Sequence, residues 1–308
     1  MLPMLLAIAF AAGQAAPAPA PATAPPVVPI RASKVVLVGD STTSVSGGWG
    51  GSFCAEHVTS FLACVNLARG GRSSGSYRAE GSWKLALAEM QTPGFARTWV
   101  VIQFGHNDQP GKPGRSTDLA TEFPANLRAY VTETRAAGAI PILVTPLSRR
   151  SYKGGRIDND LAPWADAVRR VARDMDVPLV DLNALTVAEL DRNGEAWADG
   201  FAQLPRTAAA PSPAARANET NDMPFAERKL SFDRTHLGRA GADHVAALMA
   251  RALARAVPEM RPTLYQTQPA PPPCNKSDFG SASLPVQVVA RTAIVLSDRL
   301  GSLRAPVR

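Results

Sequence analysis

Ser41 follows a run of four apolar, mostly β-branched residues in the segment Lys34-Val-Val-Leu-Val-Gly-Asp-Ser-Thr-Thr43. Far along the chain, Asp233 and His236 stand three apart in Ser231-Phe-Asp-Arg-Thr-His-Leu237. A serine becomes a useful nucleophile when a base takes its proton, and an imidazole base needs a carboxylate to fix its tautomer. These residue types are those of acyl transfer. Singly they say little, because a strand-terminal serine is commonly a cap or turn former. Ester cleavage also needs donors for a developing oxyanion. The backbone N–H groups of Ser41 and Gly71 and the side-chain amide of Asn107 can supply them. Lacking a Cβ, Gly71 lets its backbone approach a reacting group, and a helix start after Ser41 would add positive potential.

The elements that must position this set are legible as apolar runs. Val35–Val38, Cys64–Leu67, Trp99–Phe104, Ile140–Val144 and Pro178–Leu182 read as strands. They are continuous rather than alternating, as strands buried on both faces are. Helix-like stretches follow at Ser52–Phe61, Ser82–Met90, Leu119–Ala137, Pro163–Asp174 and Gly241–Ala256. The alternation predicts an α/β fold, a doubly wound parallel sheet with helices on both faces. Ligands of such sheets bind beyond the carboxyl ends of the strands. There the chain carries Gly39-Asp-Ser41, Gly70-Gly-Arg-Ser73, Gly105-His-Asn-Asp108 and Thr145-Pro146.

The blocks Gly39-Asp-Ser-Thr42, Asn66-Leu-Ala-Arg-Gly-Gly-Arg-Ser73, Gly105-His-Asn-Asp108 and Asp233-Arg-Thr-His236 resemble those of the GDSL/SGNH hydrolases. The Asp-Ser-Thr form of the first block and the Asn-x-Ala-x-x-Gly-Arg-Ser form of the second resemble the rhamnogalacturonan acetylesterase branch. Thr145-Pro146 with Arg149-Arg150 and Asp233-x-Thr-His-Leu237 add to that likeness, which spans residues 34–256. The resemblance implies Ser41, His236 and Asp233 as a triad, with Ser41, Gly71 and Asn107 lining the oxyanion hole. It further implies a three-layer α/β/α flavodoxin-like fold with a central five-stranded parallel sheet, no cofactor, no metal, and release of acetate from pectic or related polysaccharides. Members often carry a Tyr near Leu161–Trp164, where this chain offers Trp164. A lipolytic or general short-acyl esterase would use the same triad, and a non-catalytic binder of acidic polysaccharide is the rival outside enzymes.

Other residues compete for the same roles. Gly71-Arg-Ser-Ser-Gly75 fits a nucleophile elbow with Ser73 as attacking group, but that fold draws its carboxylate and histidine from separate loops. His106 and Asp108 lack a third metal ligand, so His106 is expected to brace the site; His57 and His244 are expected on helices in structural or exposed roles. Arg72, Arg149 and Arg150, with His106, are the candidate substrate contacts, because a guanidinium can bind a uronate carboxylate through two parallel bonds.

The 308 residues are 45% hydrophobic, enough for a full core, and carry a formal net charge of +7. Of that charge, +3 lies from Glu259 onward, where six Lys/Arg stand against three Asp/Glu. A basic exterior suits a polyanionic substrate, although a solvated Arg-rich surface accounts for it equally. No nucleic-acid partner is expected, and the protein is read as a monomer. Residues 1–16 are expected to be a signal peptide without a basic start, too short to span a membrane, which implies secretion or a periplasmic location. Ala/Pro-rich residues 17–30 read as a linker, 31–258 as the domain, and 259–308 as a Pro-rich linker and tail. Thr207–Asn221 reads as a polar insertion. Of the three cysteines, Cys54 is placed inside a helix and Cys64 at a strand start, a separation that argues against their pairing.

Overall fold

The computed structural model describes residues 31–206 and 232–266. The expected signal peptide, the 17–30 linker, the 207–221 insertion, Cys274 and the tail from 267 lie outside the described residues. Five strands form one sheet: β1 (Ser33–Gly39), β2 (Leu62–Asn66), β3 (Thr98–Gln103), β4 (Ile140–Val144) and β7 (Leu179–Val180). Their order is β2-β1-β3-β4-β7, and every pairing is parallel. The chain leaves β1 for β2 on one side, then returns to place β3 on the other. That reversal opens a crevice above β1 and β3, the expected place for a ligand in such a sheet. Gly39 pairs with Gln103, so the two strands end level and their loops emerge side by side.

Both faces of the sheet are covered, which explains the unbroken apolar runs. Val35, Leu37, Trp99, Val101, Ile142 and Val144 point to one side. They pack there on α1 (Gly50–Glu56), through Phe53, and on α8 (Arg239–Ala256), through Val245, Met249 and Leu253. Val36, Val38, Val100, Ile102 and Leu143 point to the other side. These meet Tyr77 of α2 (Ser76–Ala79), Trp83 of α3 (Ser82–Met90), Leu127 of α4 (Glu122–Ala136) and Val168 of α5 (Ala162–Asp174). Each large apolar side chain so buried contributes about 1.5–3 kcal/mol relative to exposure. The three-layer α/β/α architecture is thus present with its five parallel strands.

Several local expectations are corrected. The fifth strand is only two residues long because Asp181 caps a helix, accepting from the Ala184 N–H at 3.3 Å. That helix, α6 (Leu182–Asn193), is followed by α7 (Glu195–Asp199), and a two-residue hairpin of β5 (Tyr152–Lys153) and β6 (Arg156–Ile157) follows β4. Packing also continues past 258, through a 3-10 turn at Pro258–Thr263 in which Met260 is buried. Leu264 beyond it is buried and bridges to Val58.

The expectation that Cys54 and Cys64 stay apart is overturned: they form a disulfide with Cα atoms 5.4 Å apart. The helix stops at Glu56 instead of running to Phe61, and the chain turns back at once into β2. The early stop removes the separation that a longer helix would impose. The bond closes a short loop, with a sequence separation of 10. In chain-entropy terms, breaking it by Cys54→Ser with Cys64→Ser should cost about 3 kcal/mol of unfolding free energy. Chemical denaturation reads this directly; an unchanged midpoint would show that the cross-link adds no stability.

Candidate active site

Ser41 lies in a tight turn just beyond β1, buried, and that turn is tied by its neighbours. The Asp40 carboxylate accepts from the Thr42 N–H at 2.9 Å and the Thr42 hydroxyl at 2.7 Å. Gln103 Oε1, at the end of β3, accepts from Thr43 Oγ1 at 2.7 Å and Trp49 Nε1 at 2.8 Å. Gly39 is required here: a Cβ would sit 2.7 Å from the Gln103 carbonyl oxygen. Burial pushes the Asp40 carboxyl up, but His106 3.5 Å away and the two Thr42 bonds outweigh it and hold it below its ordinary value.

Asp233 and His236 reach the same place from the segment before α8. Asp233 Oδ1 accepts from the backbone N–H groups of Thr235 at 2.7 Å and His236 at 2.6 Å, closing an Asx-type turn. Its second oxygen, Oδ2, lies 3.1 Å from His236 Nδ1, and His236 Nε2 lies 2.9 Å from Ser41 Oγ. Burial raises the Asp233 carboxyl, yet the bond and charge of His236 and the two N–H donors prevail, so it lies below its usual range. With Asp233 on Nδ1, the arrangement suits a proton on that nitrogen and a lone pair on Nε2 facing the hydroxyl.

The loops after β2 and β3 complete the rim. A Cβ built on Gly70 would lie 3.5 Å from Ser41 Cβ, which places that glycine against the serine. Gly71 next to it adopts φ +78°, a left-handed conformation that favours glycine. Asn107 is fully buried; its Nδ2 donates to the Arg72 carbonyl at 3.1 Å and its Oδ1 accepts from Arg115 Nη1 at 3.2 Å. Asp108 anchors this loop by accepting from Ser74 N at 3.0 Å, Ser74 Oγ at 2.6 Å and Thr117 Oγ1 at 2.9 Å. Burial pushes the Asp108 carboxyl up to about 7 against those bonds. Sequence reasoning gave Asp108 and Arg115 no positioning role; only their contacts disclose it.

The structure brings Ser41, Gly71, Asn107, Asp233 and His236 to one sheet edge, and it distributes the other candidates differently. Arg150 is corrected outright as a substrate contact. It is only 2% exposed, and its guanidinium donates to the carbonyls of Asp233 at 2.9 Å, His236 at 2.8 Å and Thr235 at 3.4 Å. Burial lowers that guanidinium to about 10, still charged near neutral pH. Arg149 is committed to Asp160 at 2.6 Å, Gln109 at 2.9 Å and Thr235 Oγ1 at 3.2 Å. Arg72 donates to Glu80 at 2.9 Å and to the Gly70 carbonyl at 2.8 Å. These bonds leave neither side chain poised as a ready fork for a carboxylate. His106 is buried beside Asp40 beneath the site, a bracing position.

Ser73 exchanges bonds with Ser76 at the start of α2, N–H to Oγ in both directions at 2.9 and 3.1 Å. It is fully buried, so the elbow reading has no accessible nucleophile. His57 is buried at the end of α1 against the Tyr265 carbonyl, and His244 of α8 pairs with Glu189, so both are structural. Trp164 is buried near the start of α5. No group of three or more His, Cys, Asp or Glu gathers in metal-binding geometry among the described residues. No described helix is long and apolar enough to cross a membrane.

The chain resembles known proteins in sequence and in fold. A family model described as "GDSL-like Lipase/Acylhydrolase family" matches residues 37–244. The chain is similar to the probable rhamnogalacturonan acetylesterase YesY of Bacillus subtilis (strain 168), with 33% identity over 171 residues, 53% of this chain and 76% of the relative. It is also similar to the rhamnogalacturonan acetylesterase RhgT of the same organism, with 37% identity over 161 residues, 50% of this chain and 66% of that one. The crystal structure of the protein YXIM from Bacillus subtilis aligns with a TM-score of 0.54 at 22% identity. That alignment covers 74% of this chain and 57% of the other, a likeness of fold.

Proposed function

Because this chain belongs to the GDSL-like lipase/acylhydrolase family and is a carboxylic ester hydrolase, we propose that Ser41, His236 and Asp233 are its catalytic triad and acetylated pectic polysaccharide its substrate. The observation that carries the triad is the continuous line Asp233 Oδ2–His236 Nδ1–His236 Nε2–Ser41 Oγ, with steps of 3.1 and 2.9 Å across the ring. Ser41 Oγ attacks the acetyl carbonyl as His236 Nε2 takes its proton, giving a tetrahedral oxyanion. The N–H groups of Ser41 and Gly71 and one N–H of Asn107 Nδ2 face that charge, the other Asn107 N–H remaining on Arg72. His236 then protonates the departing sugar oxygen. Water, deprotonated by the same imidazole, attacks the acetyl-enzyme and releases acetate. Asp233 stays a carboxylate throughout and stabilises the imidazolium each time it forms.

The names borne by YesY and RhgT support the polysaccharide, a rhamnogalacturonan-type backbone with O-acetyl groups. The net charge of +7 supports attraction to a polyanion. A disulfide of this kind persists in oxidising compartments, which supports a secreted or periplasmic enzyme. The test is acetate release from acetylated rhamnogalacturonan, homogalacturonan and xylan side by side, with a series of synthetic esters of rising acyl length. Acetylated rhamnogalacturonan is expected to be hydrolysed fastest, and octanoyl esters slowly. Equal rates on acetyl and octanoyl esters would replace this reading with that of a general acyl esterase.

A further inference from the structure

We propose that Arg150 is a positioning residue for ester hydrolysis, holding the Asp233–His236 turn so that the imidazole stays aligned between the carboxylate and Ser41. The inference rests on the triad reading above. It starts from how the turn disposes of its own polar groups. Asp233 Oδ1 takes the N–H groups of Thr235 and His236. The carbonyls of the same segment face the opposite way, and one guanidinium collects them: Nη2 donates to Asp233 O at 2.9 Å and His236 O at 2.8 Å, and Nη1 reaches Thr235 O at 3.4 Å. Donors and acceptors of the turn are therefore both tied, and Asp233 Oδ2 alone is left to meet Nδ1.

The backbone of Arg150 is tied to the same turn. The Arg150 N–H donates to the Arg234 carbonyl at 2.8 Å, and Arg234 Nη1 donates to the Arg150 carbonyl at 3.2 Å. Two residues earlier, Ser148 donates through Oγ to Thr186 of α6 at 3.0 Å. The loop after β4 thereby measures where the base stands relative to Ser41 on the loop after β1. A planar fork fits this arrangement, because Nη2 presents two N–H groups in one plane to two carbonyls, which an ammonium on a flexible four-carbon stem does with poorer geometry. Even with the Asp233 and Asp199 carboxylates near it, a buried guanidinium is a costly way to gain stability alone, since apolar side chains of similar volume commonly serve as well.

The test compares Arg150→Lys and Arg150→Met with the wild-type enzyme in kcat and KM on a soluble acetyl ester. The rate at which a fluorophosphonate probe labels Ser41 and the melting temperature are measured alongside. Displacing a catalytic group by an ångström costs about 100-fold in rate. Arg150→Met is thus expected to lose roughly 100-fold in kcat and in labelling rate at nearly unchanged KM, with Arg150→Lys between it and wild type. Folded Arg150→Met with wild-type kcat and labelling would overturn the proposal. A raised KM at unchanged kcat would overturn it too, by making the guanidinium a substrate contact. Loss of fold in both variants would do the same, making Arg150 a support of the domain rather than of the turn. Failure of the triad itself is distinguishable, because labelling would then persist in Ser41→Ala.

Discussion

Replacing Ser41 by alanine should lower acetate release by on the order of 10^4- to 10^6-fold while leaving the fold intact. The size follows from the residue's place: without Oγ there is no acyl-enzyme, and His236 is left to activate water in a site shaped for a bound nucleophile. The fold should survive because the turn is held by Asp40, Thr42 and Gln103, while the Ser41 hydroxyl bonds to His236. Ser73→Ala is the matched control. Ser73 Oγ accepts from the Ser76 N–H, so its loss should cost about 1 kcal/mol of stability and little activity. Activity abolished by Ser73→Ala and retained in Ser41→Ala would reverse the assignment of nucleophile.

Asn107→Ala should reduce kcat by roughly 100- to 1,000-fold, the loss of about 2.7–4 kcal/mol that follows removal of one oxyanion donor. KM should change little, because the donated bond strengthens only as the carbonyl oxygen acquires charge. Asn107 is held between Arg72 and Arg115 at 3.1 and 3.2 Å, so its amide is preorganised and needs no reorientation during the reaction. The loop that carries it stays anchored by Asp108 on Ser74 and Thr117, which makes a folded variant the expected product. A melting temperature near wild type together with unchanged kcat would remove Asn107 from the oxyanion hole.

Much of the architecture was legible along the chain. Val35–Val38 and Trp99–Phe104 read as buried strands because both faces of the sheet are covered, so apolar residues run unbroken through Val35–Val38 and Trp99–Ile102. The reactive residue types sit just past strand ends because apolar strands must end before polar groups can be tolerated. The helix after Val180 does not stand out along the chain because Pro178–Leu182 reads as one continuous strand, although Asp at a helix start is a cap signal. The early stop of α1 at Glu56, which lets Cys54 meet Cys64, has no signal in the run Ser52–Phe61.

The sequence by itself determined the layered α/β fold and the residue types it presents, a serine and an asparagine just past strand ends and an Asp-x-x-His pair. Both depend on local pattern: which side chains must be buried, and which chemical groups stand at the ends of buried runs. The tertiary structure alone decided which distant groups meet. It set Ser41 2.9 Å from His236, joined Cys54 to Cys64, and bonded Arg150, a candidate for a sugar carboxylate, to the carbonyls of Asp233 and His236 instead. The physical reason lies in the side chains themselves. A guanidinium can donate to a carboxylate on a ligand or to carbonyls of its own chain. Only the path of the chain settles which acceptor arrives first.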